Sequence, residues 1–150
     1  MRLHPPDVVR CSCGASLFET PLHFLSCRLL GASRIVRHDR LVNIIARIAR
    51  LCGVVTQIEP RIDEDDKSRA DGHLFFHSQT LMFDASVVDP SAKSYVRCAQ
   101  RPLGTASRCE SRKTDQYSTR CREQVCLFSP VVMEVFGALG NKCKLLVTKI

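Results

Sequence analysis

The chain has no apolar run of about 18 residues, so no segment reads as a transmembrane helix. Its first stretch, MRLHPPDVVRCSCG, lacks the apolar core of a secretory signal. No internal repeat and no low-complexity block appears, which leaves an ordinary globular fold. Acidic residues are in deficit, with 15 against 22 Lys and Arg and a net charge of +7. That balance suits an acidic partner, nucleic acid above all, although a plain basic soluble protein would carry it too. The nine cysteines are an odd number and cannot all pair. Without a secretory signal, they place the chain in a reducing compartment, nucleus or cytoplasm. Some then serve as metal ligands and the rest as buried or free thiols. A length of 150 residues, 45% hydrophobic, fits one domain with a small appendage. A chain of this size can bury a core without disulfide support.

Cys11, Cys13, His23 and Cys27 form a C-x-C-x9-H-x3-C pattern. Thiolates and imidazole are the donors that tetrahedral Zn²⁺ prefers, and two close-set pairs separated by a loop suit a structural site. The single residue between the first two cysteines is tighter than usual. The other reading is three buried cysteines and a core histidine beside an apolar Leu-His-Phe-Leu segment. Gly14 allows a sharp turn after the first pair.

Residues 34–52 have the period of an amphipathic helix. Leu41, Ile44, Ile45, Ile48, Leu51 and Cys52 recur at threes and fours, while Arg40, Asn43, Arg47 and Arg50 line the opposite side. Gly53 stops it, and either Asp39 or Ser33 marks its start. The arginine stripe suits phosphate contact, or is the wet face of a surface helix. Residues 54–60 read as a strand ended by Pro60, with Glu59 a solvated acid or a ligand. The acid-rich stretch 61–70 reads as a solvated loop. A basic helix is expected from about Thr105 to Arg122, with Lys113 and Tyr117 four apart on one face. A strand over 125–136, bent or ended at Pro130, and a short terminal helix follow.

The segment from Asp71 to Asp89, DGHLFFHSQTLMFDASVVD, reads as a β-hairpin. A two-residue turn at Ser78-Gln79 would set Asp71 opposite Ser86 and Asp84 opposite His73. All four would then share one face, with the two carboxylates diagonal neighbours able to converge on a hard cation. A turn one residue longer or shorter would separate them, and the plainer reading is that Asp71 merely starts a strand and Asp84 is a solvated strand acid. The run around Asp84 is apolar on both faces, so an acid there must be paired, bound or exposed at a cleft.

Taken in order, the motifs form a series. It comprises the C-x-C…H-x3-C pattern, Arg37-His38-Asp39, Glu59-Pro60, Arg69-Ala70-Asp71-Gly72, Phe83 through Pro90, Glu110-x-x-Lys113-x-x-x-Tyr117 and Phe128-Ser129-Pro130. That series resembles the C-terminal region of non-LTR retrotransposon polyproteins, where a zinc knuckle and a restriction-like endonuclease domain follow the reverse transcriptase. The resemblance runs from about Cys11 to Gly140. It implies a CCHC zinc knuckle over 1–30 and an endonuclease domain over 31–150. The fold class it implies is α/β (α+β), with a PD-(D/E)xK restriction-endonuclease-like core: a small mixed sheet flanked by helices.

By the same resemblance, Asp71 and Asp84 hold a catalytic Mg²⁺ or Mn²⁺, Lys113 is the catalytic lysine and Tyr117 accompanies it. Cys11, Cys13, His23 and Cys27 hold a structural Zn²⁺. Arg37, His38, Arg40, Arg47, Arg69 and Arg112 are the expected nucleic-acid contacts, on DNA or else RNA, with no membrane partner; for Arg37 and His38 local packing is the other reading. The implied activity is Mg-dependent nicking of DNA. Two departures bear on it: Ala70 stands where the family has proline, and Gln116 where it often has lysine before the tyrosine. They make a catalytically inactive, zinc-containing nucleic-acid-binding remnant the competing expectation. The chain contains no counterpart of the polymerase and reads as a fragment of such an element or a gene derived from one.

Overall fold

In the computed structural model, residues 10–27, 29, 31–59 and 70–150 are described. A four-stranded sheet organises them, in the order β1-β2-β3-β4. Its strands are β1 (Val55–Ile58), β2 (Gly72–Phe76), β3 (Gln79–Val88) and β4 (Leu127–Glu134). The first three run as an antiparallel meander, and β4 joins β3 in parallel. A parallel neighbour needs a long crossover, which is supplied by α3 (Gly104–Glu123). The remaining helices are α1 (His23–Ser26), α2 (Gly31–Leu51) and α4 (Asn141–Lys149). The architecture is mixed α/β, with helices on both faces of a mixed sheet.

Strand alternation assigns the faces. Leu81, Phe83 and Ala85 of β3 pack with Leu74 and Val131 against Leu41, Val42, Ile45 and Ala49 of α2 and Cys143 and Leu146 of α4. The residues between them turn the other way, toward α3. Met82 meets Ala70, Tyr117, Cys121 and Cys126, and Val88 meets Val132, Ala106 and Cys109. Phe83 is fully buried, and its ring occupies the space that a Cβ on Gly72 would need. Gly72 is therefore fixed by the packing of its cross-strand partner.

Several expectations are corrected. The helix α2 begins at Gly31, ahead of both proposed caps, and Asp39 lies inside it. Its buried stripe is Leu41, Val42, Ile45, Ala46 and Ala49, whereas Ile44, Leu51 and Cys52 are exposed. Small alanines let the helix approach the sheet, which outweighs the larger side chains one step round. Its end is as expected. Gly53 has φ 79°, the Val54 amide donates to Ala49 O at 2.9 Å and the Gly53 amide to Arg50 O at 3.0 Å. The hairpin turn is His77-Ser78 rather than Ser78-Gln79, because Phe76 pairs with Gln79 and Gly72 with Phe83. Asp71 is thereby not opposite Ser86, nor Asp84 opposite His73. Strand β4 runs straight through Pro130, which pairs with Asp84 of β3. The Val132 carbonyl and the Glu134 amide bond the residues after the strand, so they point away from β3. By alternation the Pro130 nitrogen points away too, and no ladder bond is lost.

Neither α3 nor α4 has a capping side chain of its own. Each borrows a glutamate. Glu134 Oε1 accepts from the Ala106 amide at 3.2 Å, in the first turn of α3. Glu110, buried on α3, accepts from the Lys142 and Cys143 amides at 2.8 and 3.4 Å, at the start of α4. A side chain at Gly140, the N-cap position, would collide with that carboxylate. Glu110→Ala should therefore cost about 1–2 kcal/mol in chemical denaturation. Gly140→Ser should destabilise the parent, yet recover part of the loss in the Glu110→Ala background. Losses that simply add would refute the shared position.

Candidate functional site

Asp71 directly precedes β2 and Asp84 lies within β3. The regular pairing ends at Gly72 and Phe83, and just beyond it the Asp71 and Asp84 carboxyls come within hydrogen-bonding reach of each other. The turn has moved by one position and kept its length, and the two carboxyls still meet. The Asp71 amide donates to Phe83 O at 3.1 Å, and its Oδ2 accepts from the Ala85 amide at 2.5 Å. Asp84 is 7% exposed and forms an ion pair with Lys113, itself 8% exposed, reaching across from α3.

Burial raises the Asp84 carboxyl above the usual carboxylate range; Lys113 pulls it down, and the nearby Asp71 carboxyl, within hydrogen-bonding reach, pushes it up again. The arrangement is two carboxyls and one ammonium in a dry position. Such a site favours a further positive charge.

His38 of α2 completes it. Its Nε2 lies 3.0 Å from Asp71 Oδ2 and its Nδ1 lies 3.1 Å from Asp39 Oδ1. Burial pulls this imidazole down, but the two carboxylates outweigh it and its pKa is raised. The sequence placed His38 among the nucleic-acid contacts. Its contact with Asp71 bridges 33 residues of chain, and no local pattern signals it. A cavity of about 230 Å³ opens beside this pair, lined also by Asn43, Ile58 and Glu59.

Tyr117 lies one turn beyond Lys113 and is buried, its ring centroid 5.1 Å from that of Phe128. Ala70 is buried in the same cluster, and Gln116 is exposed. Arg40 and Arg47 are exposed on α2 and Arg112 on α3, while Arg37 is half-buried. Arg69 lies outside the described residues.

The Cys/His segment folds as the spacing requires. The Gly14 amide donates to Cys11 O at 2.8 Å and the Cys11 amide to Ala15 O at 2.9 Å, a tight turn that Gly14 permits with φ 88°. His23 opens α1, and Cys27 follows it, buried. Cys11 Sγ and Cys27 Sγ are 3.5 Å apart, Cys13 Sγ and His23 Nε2 are 2.9 Å apart, and the four donor atoms lie within 4.8 Å of one another. A tetrahedron of Zn–S bonds has an edge of about 3.8 Å, so these donors could hold a zinc ion. All nine cysteines are free thiols. Burial pushes Cys121 up to about 12 and Cys143 up to about 11, which keeps both protonated.

With this geometry in hand, comparison with known proteins gives one class. The chain is similar to proteins of retrotransposable elements. One is the retrotransposable element SLACS 132 kDa protein of Trypanosoma brucei gambiense, 26% identical over 147 residues, covering 93% of this chain and 12% of that protein. Another is the retrovirus-related Pol polyprotein from type-1 retrotransposable element R2 of Popillia japonica, 38% identical over 72 residues, covering 47% of this chain and 15% of that protein. The chain thus spans only a small part of either relative. No family model matches it.

Purified protein should contain one zinc per chain by elemental analysis. Cys27→Ala should lower that content at least tenfold and broaden the melt of the N-terminal segment. An unchanged zinc content, or none in the parent, would remove the assignment.

Proposed function

We propose that this chain is a metal-dependent DNA endonuclease domain of a non-LTR retrotransposon polyprotein, with a zinc knuckle over 1–30 and a PD-(D/E)xK-type nuclease over 31–150. The observation that carries this reading is the convergence of Asp71, Asp84 and Lys113 from the hairpin and the following helix. The similarity to retrotransposon proteins and the excess of basic residues support it.

Asp71 and Asp84 would hold Mg²⁺ or Mn²⁺. Burial first, and the neighbouring Asp71 carboxyl after it, raise the Asp84 pKa, and two adjoining carboxyl groups offer the oxygen donors that a hard cation prefers. When bound, such an ion polarises a phosphoryl oxygen and lowers the pKa of a bound water. The protein's own groups do the rest. Lys113 sits against the carboxyl pair, placed to stabilise the negative charge that develops on the phosphate or to orient the attacking water. His38 and the Ala85 amide hold one oxygen of Asp71 in place. Tyr117 packs behind the lysine and fixes the helix face. Gln116 is exposed, so a lysine there would leave its Cα outside the buried face that presents Lys113. Ala70 fills an apolar cluster.

Nicking of supercoiled plasmid with Mg²⁺ or Mn²⁺ tests the reading. Asp84→Asn and Lys113→Met should each slow nicking by at least about 100-fold while duplex affinity stays within a few-fold. If the zinc-loaded, folded parent binds DNA and does not nick it, the chain is the inactive binding remnant instead.

A further inference from the structure

A second cavity, of about 400 Å³, lies between α2, the end of β3 and α3. Its wall holds Arg34, Arg37 and Arg112, with Ser86 and Tyr95 offering hydroxyls. Three guanidinium groups face a single carboxylate there, Asp89. That carboxylate already accepts from the Ser91 amide at 2.9 Å and the Ser91 hydroxyl at 2.6 Å.

Arg37 gives the sharpest sign of a missing partner. One of its terminal nitrogens donates to Leu25 O at 2.9 Å, yet its Nε is buried and makes no hydrogen bond. A buried guanidinium donor without an acceptor is costly, and a bound anion supplies one. Planar guanidinium forks match the tetrahedral oxygens of phosphate. The space is roughly that of a dozen waters, more than a lone ion fills and enough for a phosphate with its sugar.

Position relates this cavity to the carboxylates. Ser86 is two residues beyond Asp84 on β3 and on the same face, a step of about 7 Å. Arg37 adjoins His38 on α2, and Arg112 adjoins Lys113 on α3. Each element that brings a side chain to the acid pair thus brings an arginine to the cavity.

We propose that this cavity is a phosphate-binding pocket in which Arg34, Arg37 and Arg112 together hold one non-scissile backbone phosphate of the bound DNA strand, next to the acid pair. The DNA origin of that phosphate rests on the endonuclease reading; the pocket's affinity for phosphate does not. Leu25 forms part of the wall, so the Cys/His segment shapes the pocket. The sequence placed Arg37 and Arg112 among separate contacts and did not single out Arg34.

The test is the salt dependence of duplex binding by fluorescence anisotropy, in an Asp84→Asn background that cannot confuse binding with cleavage. Three arginines on one phosphate count once. The triple change Arg34→Gln, Arg37→Gln, Arg112→Gln should reduce the slope of log K against log salt by about 0.9, the value for one phosphate of B-DNA. A reduction near three times that value would mean three separate contacts on an ordinary basic surface, and would overturn the pocket. An unchanged slope would do the same. Arg34→Gln with Arg112→Gln, both on exposed side chains, leaves Arg37 and its bond to Leu25 in place: on one shared phosphate it should weaken binding with a slope change below about 0.9, whereas a change near twice that value would mean separate contacts and overturn the pocket.

Inorganic phosphate, titrated into the full chain by calorimetry, separates the sources. Weak binding that the triple variant loses, together with the slope change, is the expected result. Tight phosphate binding with DNA binding unaltered in the triple variant would assign the pocket to free phosphate and overturn the DNA role. Loss of nicking in the parent with the slope change intact would sink the nuclease reading and leave the pocket standing.

Discussion

One ion pair in a dry place ties the two halves of this molecule together. Asp84 comes from the central strand β3 and Lys113 from α3, and both are almost fully covered. Removing one partner of such a pair costs about 3–5 kcal/mol, because the other charge is left unmatched. Replacing both with apolar groups of the same shape is often harmless. Stability alone is therefore a poor reason for a lysine and an aspartate here. The pair is the one on which the proposed endonuclease reading rests. The Asp71 carboxyl crowds the same point, and the single lysine leaves the acids short of positive charge. Around this pair the rest of the sheet is ordinary apolar packing, which keeps water away and makes each charge count for more.

The element order was legible in the sequence because each element had its own local signal. The threes and fours of α2, the glycine stop at Gly53 and the alternation of the hairpin are properties of short windows. What could not be read was set by partners far along the chain. The hairpin register depended on which residues formed its turn. A shift of one position preserved its length, and the Asp71 and Asp84 carboxyls still meet although their opposite numbers changed. The buried stripe of α2 was misjudged because Val42, Ala46 and Ala49 look weak by size, yet close approach to a sheet rewards small side chains. Pro130 looked like a break because a proline's effect depends on which side of a strand is unpaired. Asp71, Asp84 and Lys113, which motif order had singled out, are brought together by the fold. The contact of His38 with Asp71 was not legible, since nothing near either residue announces it.

The borrowed caps show the same dependence in another form. Glu110 lies on α3 and Glu134 ends β4. In the fold each satisfies the amides of a different helix, and Gly140 is bare so that one of them can enter. The Cys/His segment is joined to α2 in a comparable way, through the bond from Arg37 to Leu25 O. Order in the N-terminal segment is thereby transmitted to the helix that carries His38.

Pro130 has one more effect. The sheet has two open margins, and β4 forms one of them. An exposed margin with regular amides invites a strand from another molecule, the usual first step toward uncontrolled self-association. On β4 the proline deletes a donor from the outward row, and the chain after the strand folds back over the rest, through the bridge between Met133 and Leu139. Strand addition along β4 is thus opposed at Pro130 and beside Val132 to Glu134, while β1 forms the other margin.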